Sequence, residues 1–208
     1  MNLSTRQQIA MLTCLVGAFL IAISQGAAST GKKKPAQPAG GANQVQGTQG
    51  KIGQMLFTGK WRFEVLSAPR QVDTYTMKVP NADEDYAKYT NEAEFDPNTH
   101  IFTPKSGYTF FSIDCLAKNA QTKTQQLDCY SDNQKTALTD DQSNSYPPIA
   151  FDMMTQGPWN SKPLLPGSSE KITILFAVPP GTKPQDLVFT LKNWADHQGK
   201  EVRVTLTK

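Results

Sequence analysis

An acidic stretch between residues 83 and 96 carries the side chains best suited to chemistry. It holds three adjacent acids and three more further along, namely Asp83, Glu84, Asp85, Glu92, Glu94 and Asp96. Two carboxylates that face each other across a cleft can hydrolyse a glycosidic bond, and several carboxylate oxygens can hold calcium. The Asp-x-Asp-x-Asp-Gly order of a calcium loop is absent, so a solvated acidic loop is the favoured interpretation. Calcium binding by the Asp83–Asp85 triplet and catalysis remain alternatives.

Aromatic residues are interleaved with these acids. They are Tyr75, Tyr86, Tyr89, Phe95 and Phe102, and Trp159 in a later loop could join them. Packing of a long loop onto the edge of the fold is one explanation. The functional alternative is a binding surface, because rigid aromatic side chains supply contact area at a low entropic cost. We therefore take these six residues as the candidate binding set.

Histidine offers little for catalysis or metal binding. Nucleophilic catalysis needs a base beside the nucleophile, but the chain has two histidines, His100 and His197, both in predicted loops. A zinc site needs three or four clustered ligands, and neither histidine lies at ligand spacing from a cysteine. We predict no catalytic residue, no metal site and no cofactor.

Residues 1–28 have the pattern of an export signal. Arg6 precedes an apolar run from Ile9 to Ile23, and Gly26-Ala27-Ala28 offers a cleavage site with small residues. An apolar run of about 15 residues suits a signal peptide and is short for a bilayer span. The pattern predicts a secreted, periplasmic or cell-envelope protein. An uncleaved leader would be the expected route to membrane attachment.

Apart from Val45, residues 29–51 are small, polar, basic or proline, which predicts a flexible linker. Five of the 21 basic residues precede residue 52, while no acid does, so residues 52–208 hold 16 basic and 18 acidic groups. A nucleic-acid-binding protein carries its positive excess on the folded part. The charge distribution therefore argues against nucleic acid as a partner.

Period-2 alternation of apolar and polar residues recurs from Ile52 onward and predicts β-strands. It is clearest at 61–65, 111–118, 171–178 and 201–207, and further strands are expected near 52–57, 125–130, 148–153 and 186–192. Each pattern buries one face and leaves the other wetter, as in a sandwich of antiparallel sheets. We predict an all-β fold, one antiparallel β-sandwich of about seven to nine strands over residues 52–208.

Two cysteines, Cys115 and Cys129, lie in this region. Export would place them in an oxidising compartment, where paired cysteines are normally bridged. A hairpin centred on Thr122 would set them opposite each other. We therefore expect a Cys115–Cys129 disulfide.

Three blocks of the sequence resemble a bacterial secreted immunoglobulin-like family that includes an immunoprotective extracellular antigen. They are Ile52-Gly53-Gln54 with Gly59 to Val65, Gly107 to Lys118-Asn119, and Leu165-Pro166-Gly167 with Ile172 to Pro179. The resemblance implies an immunoglobulin-like sandwich and export, and it implies no reaction. The chain departs from the family pattern between Ala68 and Ser106, where a long insertion separates the early strands.

The insertion is also the expected site of function. A connection of this length in a compact domain is usually functional or disordered, and this one is rich in aromatic residues. We expect an exported, non-enzymatic binding or structural module that contacts a protein or an envelope polymer through residues 80–105. The alternative is a secreted carbohydrate-active enzyme that uses carboxylates of the same insertion.

Overall fold

A computed structural model describes residues 44–78, 91–128, 136–153, 161–193 and 199–207. These residues belong to one unit, Gln37–Lys208, and every regular element in them is a β-strand. Among them, none forms a helix long and apolar enough to cross a membrane. The predicted signal peptide, 1–28, lies outside the described residues. The all-β prediction is confirmed.

Seventeen strands form within the described ranges. In chain order they are β1 (Gln44–Gln46), β2 (Gln49–Lys51), β3 (Met55–Phe57), β4 (Trp61–Val65), β5 (Arg70–Val72), β6 (Tyr75–Thr76), β7 (Ala93–Asp96), β8 (Ile101–Pro104), β9 (Thr109–Asn119), β10 (Gln125–Asp128), β11 (Ala137–Asp140), β12 (Ser145–Tyr146), β13 (Pro148–Met153), β14 (Ser161–Leu164), β15 (Ser169–Val178), β16 (Pro184–Asn193) and β17 (Lys200–Thr205). The predicted number, seven to nine, was too low. Short strands share the edge of a longer one, and the insertion forms strands of its own.

The first sheet has the order β1-β3-β4-β9-β15-β13, and β5 pairs with β9 on the same edge as β4. Its centre is the antiparallel pair β9 and β15, which stay in register from Thr109 opposite Val178 to Lys118 opposite Ser169. Alternation along these strands sends Ile113, Cys115 and Ala117 toward the sandwich core.

The second sheet has the order β12-β11-β16-β10-β14, and β17 pairs with β16 and with β2. The two strands predicted near 186–192 and 201–207 lie on β16 and β17, which pair antiparallel with Leu191 opposite Lys200. The two sheets pack face to face through a single apolar core. At its centre, the rings of Phe63 and Phe189 stack with centroids 4.7 Å apart.

The N-terminal strands correct the predicted boundary of the linker. Residues 44–51, which we assigned to the linker, form β1 and β2 instead. β1 runs parallel to β3 in the first sheet, and β2 runs parallel to β17 in the second. The chain changes sheet at Gly47, whose φ of 120° favours glycine. Val45 packs against the core, so the fold begins earlier than the polar composition suggested.

A third sheet, β6-β8-β7, packs on the outer face of the first sheet. Its contact with that face is a second apolar cluster, made of Met77, Ala93, Phe102, Phe110, Ile149, Ala150, Leu175 and Ala177. The outer face is therefore partly covered, where we had expected a wetter surface. Part of the insertion, predicted as a long loop, forms β7 and β8. The described residues thus stack in three layers, with the first sheet in the middle.

A buried asparagine connects two of the three sequence blocks that resemble the immunoglobulin-like family. Asn119, the last residue of β9, donates from Nδ2 to the carbonyl oxygens of Lys123 at 2.8 Å and Leu164 at 2.9 Å. Its backbone carbonyl accepts from the N–H of Gly167 at 3.0 Å. Buried polar groups need such partners to offset the cost of leaving water. The Lys-Asn pair and the Leu-Pro-Gly loop therefore form one structural unit at this end of β9.

Candidate binding cleft

Three of the six candidate aromatic residues lie within the described ranges. Tyr75 is on β6, Phe95 on β7 and Phe102 on β8. The structure thus brings them together in the third sheet. Three others, Tyr86, Tyr89 and Trp159, lie outside the described residues, as do Asp83, Glu84 and Asp85 of the possible calcium site.

The aromatic residues of the third sheet mainly pack. Phe102 is fully buried and has no exposed surface to offer a partner. The Phe95 ring lies 4.6 Å from that of Phe102, measured between centroids. The binding hypothesis is therefore wrong for Phe102, because the side chain holds the third sheet onto the first.

Tyr75 fastens the third sheet through a polar contact. Its hydroxyl donates to Oδ2 of Asp152 at 2.6 Å, and the backbone N–H of Lys78 donates to the same oxygen at 3.1 Å. Asp152 is buried on β13, at the edge of the first sheet. Burial and the bond to this carboxylate raise the pKa of Tyr75 well above its ordinary value. Tyr75 is thus an anchor of the third sheet.

A polar row extends from Asp152 across the outer face of the first sheet. Thr173 lies opposite both Asp152 and Asp114 in the register, and its hydroxyl donates to Oδ1 of Asp114 at 2.7 Å. Partial burial opposes ionisation of Asp114, yet the bond from Thr173 and the charges of Lys171 and Arg70 hold its pKa below the usual value. These hydrogen bonds satisfy the polar side chains on the part of the outer face that the second apolar cluster does not cover.

The acids that follow the possible calcium triplet do not converge. Asp96 accepts from the hydroxyl of Thr99 at 2.7 Å and from the N–H of Asn98 at 2.9 Å, and these bonds lower its pKa. Glu94 is exposed on β7. Within the described ranges, no group of three or more potential ligands could hold a metal ion.

The predicted hairpin between Cys115 and Cys129 is wrong. Cys115 on β9 lies opposite Ile172 and Val65 in the first sheet, whereas β10 belongs to the second. The free thiol of Cys115 is fully buried, which raises its pKa well above the ordinary value. Cys129 lies outside the described residues. The hairpin failed because the chain crosses between sheets after Asn119.

The two histidines are not brought together as a catalytic pair in the described residues. His100 ends the turn between β7 and β8 with a φ of 56°, and its carbonyl accepts from the N–H of Met77 at 3.0 Å. His197 lies outside the described residues. The position of His100 is that of a turn residue that also links β8 to the chain after β6.

A cleft of about 320 Å³ opens where ends of the three sheets meet, and we call it the junction cleft. It is lined by Glu92, Tyr108, Ser145, Tyr146, Pro147, Pro148, Ile149, Ala177 and Pro179. Each sheet contributes to it: β12 from the second sheet, β13 and β15 from the first, and the residue before β7 from the third. The surface is mostly aromatic and aliphatic with a few polar groups, which is the usual composition of a ligand site.

One wall of the junction cleft is held by the turn that precedes β9. The N–H of Lys105 donates to the carbonyl of Glu92 at 2.9 Å, and the N–H of Tyr108 donates to the carbonyl of Lys105 at 3.1 Å. Gly107, with a φ of 88°, allows the chain to turn between them. This pair of bonds sets Glu92 and Tyr108 side by side although they are far apart in sequence.

A second part of the cleft lining, at Tyr146, is held in position by hydrogen bonds to the carboxylate of Asp140. The hydroxyl of Tyr146 donates to Oδ2 of Asp140 at 2.9 Å, and Oδ1 of Asp140 accepts from the N–H groups of Asn144 at 2.8 Å and Gln142 at 3.0 Å. The bonds from Asn144 and Tyr146 lower the pKa of Asp140, while burial and Asp140 raise that of Tyr146. The hydroxyl end of the Tyr146 ring is thus fixed in position, next to a negative charge.

Sequence reasoning missed the junction cleft. Tyr146, Pro147 and Pro148 were not singled out as candidates, and Tyr108 lay only within one of the three resembling blocks. The signal that could have found them is an aromatic residue next to two prolines, because such a segment makes a rigid apolar surface. Glu92 was noted, but among the acids of the insertion.

No protein-family model matches the chain, and no curated protein matches it. Two solved structures are similar. An uncharacterized β-sandwich protein from Clostridium difficile 630 is 12% identical, with a TM-score of 0.43 over 84% of this chain and 100% of that one. A conserved hypothetical protein from Bacillus anthracis is 11% identical, with a TM-score of 0.40 over 73% of this chain and 94% of that one.

Proposed function

We propose that the protein is an exported, non-enzymatic binding module of the cell envelope or exterior, and that it contacts its partner at the junction cleft. The observation that carries the proposal is the cleft itself, where two tyrosine rings and three prolines line a concave surface. A volume of about 320 Å³ lies at the lower end of the range for small-ligand sites. That size suits a side chain or one small unit of a polymer.

The wall containing Glu92 links this proposal to the insertion. Glu92 belongs to residues 80–105, where we expected partner contact, and the turn at Lys105 positions it beside Tyr108. The third sheet is thus a support for one wall of the junction cleft. This modifies the original hypothesis, in which the aromatic residues of the insertion made the contact themselves.

The carboxylates near the cleft support binding rather than glycoside hydrolysis. Hydrolysis needs two carboxyl groups across the cleft, one of them with a raised pKa. Glu92 is the acid found among the described lining residues. Asp140, which is bonded to the Tyr146 hydroxyl, accepts several hydrogen bonds and has a lowered pKa, so it is a poor proton donor.

Capture from an envelope extract tests the binding site. The immobilised full-length protein should retain a partner, and a Tyr108→Leu/Tyr146→Leu variant that still folds should lose it, because its cleft lacks both rings. The matched control is Phe95→Leu, which removes a half-buried ring of the third sheet outside the cleft lining. An unchanged set of captured molecules with the double variant would contradict the proposal.

Export is tested separately by intact mass. The leader pattern predicts that protein recovered outside the cytoplasm begins near Ser29. Full-length mass in the membrane fraction would favour an uncleaved anchor, and retention in the cytoplasm would overturn the export part of the proposal.

A further inference from the structure

We infer that the junction cleft binds an organic cation, and specifically the side chain of a lysine or arginine presented by a partner protein. The inference rests on the proposed function, to which it adds the chemical class of the bound group. Three features of the cleft support it: its charge, its aromatic rings and its shape.

The described lining of the junction cleft carries one charged side chain, and its charge is negative. Of the described residues that line it, Glu92 is the charged one. Glu92 is half-buried, and within the described ranges its carboxylate forms no hydrogen bond or ion pair. A carboxylate beside apolar side chains attracts a cation more strongly than it would in open water. A cationic group entering the cleft would gain this interaction without displacing a basic side chain of the described lining.

The two rings add to this attraction. The face of a tyrosine ring attracts a cation through its quadrupole, and arginine and lysine are the usual partners in proteins. Tyr146 is well placed for this, because its hydroxyl is engaged by Asp140 and the ring is therefore fixed. The carboxylate of Asp140 accepts from that hydroxyl and so adds negative charge at the end of the ring. Tyr108 presents a second ring to the same cleft.

The shape favours a side chain over a backbone strand. β13 is an edge strand of the first sheet and begins at the cleft, so an added strand could in principle pair with it. Pro147 and Pro148 lie at that point, and proline has no N–H to donate to a neighbouring strand. Ile149, Ala177 and Pro179 instead offer apolar contact for the aliphatic stem of a lysine or arginine.

A titration of the full-length protein with short peptides tests the inference. The probes are Gly-Gly-Lys-Gly-Gly, its arginine counterpart, and the lysine peptide acetylated on Nζ, which keeps the stem but loses the side-chain charge. All three have an acetylated N-terminus and an amidated C-terminus, so the side chain is the one group that differs in charge. The NMR signals of Tyr108 and Tyr146 should shift with both cationic peptides. These should bind about tenfold more tightly than the acetylated peptide, a ratio consistent with one partly desolvated cation–π contact. Added salt should reduce the difference.

A pair of variants locates the charge effect. Glu92→Gln keeps the shape and removes the charge, so it should abolish the preference for the cationic peptides. Glu94→Gln is the matched control, since Glu94 is exposed two residues further along and does not line the cleft. An unchanged preference in Glu92→Gln would overturn the inference.

The remaining outcomes separate this inference from the proposed function. If the acetylated and cationic peptides shift both tyrosine signals with equal affinity, the cation inference is wrong and a binding cleft is still supported. If no peptide shifts either signal, the cation inference is also wrong. The loss or retention of captured partner in the Tyr108→Leu/Tyr146→Leu variant then decides the proposed function independently.

Discussion

The two faces of the first sheet are buried in different ways. The inner face meets the second sheet in one continuous apolar core, where Phe63 and Phe189 stack at its centre. The outer face is divided between the apolar cluster under the third sheet and the polar row from Asp152 to Asp114. The first arrangement serves stability, whereas the second leaves room for polar contacts and for a cleft. Under the proposed function, partner binding depends on this second arrangement.

The inner face should give the largest effect on stability. Phe63→Ala removes a fully buried ring and its stacking contact with Phe189, so it should lower the free energy of unfolding by about 3–5 kcal/mol. Urea denaturation measures this change, and an unchanged m-value would show that the folded state is still compact. A loss near zero would mean that the core is not organised around this ring.

Phe102→Ala should have a smaller global effect. Phe102 is also fully buried, but it lies under the third sheet. We expect the loss in unfolding free energy to be no larger than the free energy that holds the third sheet on the first. The reason is that the third sheet can detach while the sandwich stays folded. Hydrogen exchange should accelerate in β6, β7 and β8 and stay slow in β16 and β17. Equal acceleration in all five strands would show that the layers unfold as one unit.

Tyr75→Phe should weaken the same attachment by less. It deletes the hydroxyl that donates to Asp152 at 2.6 Å, and one such bond to a carboxylate contributes about 1.5 kcal/mol. The measurement is again hydrogen exchange of the third sheet, with Tyr108→Phe as a variant that loses a tyrosine hydroxyl elsewhere. Identical exchange rates in the two variants would show that the Tyr75 hydroxyl does not help to hold the third sheet in place.

The smallest effect concerns pH. The pKa of Tyr75 is raised in the folded state, so the proton is held more tightly there than in the unfolded chain. The resulting stability is fully present below the ordinary value of 10.0 and is lost as the pH rises above it. The difference in unfolding free energy between wild type and Tyr75→Phe should therefore be constant near neutral pH and shrink at about pH 11. A difference that stays constant would contradict the role of burial and Asp152.

Much of the sandwich could be predicted from sequence because its strands alternate. The patterns at 61–65, 148–153 and 171–178 lie on β4, β13 and β15. β1 and β2 were missed because their residues are polar and are held mainly by backbone pairing at sheet edges. The near-continuous apolar run from Ile172 to Val178 was a sign that both faces of β15 are covered. We interpreted it as simple alternation.

The site was less predictable because its parts come from distant positions. Glu92 and Tyr108 reach the junction cleft through backbone bonds around Lys105, and Tyr146 reaches it through a bond to Asp140. Neither set of bonds leaves a local periodic pattern in the sequence. Composition did identify the insertion as unusual, but its described aromatic residues turn out to support the cleft wall.

Site-specific photocross-linking in intact cells tests the central claim most directly. A photoreactive residue replaces Ser145 at the exposed rim of the junction cleft, and in a second variant replaces Leu165, which is 66% exposed in the loop bound by Asn119 at the far end of β9. We expect the partner to be cross-linked from position 145 and not from position 165. Cross-links from position 165 alone, or equally from both, would contradict it.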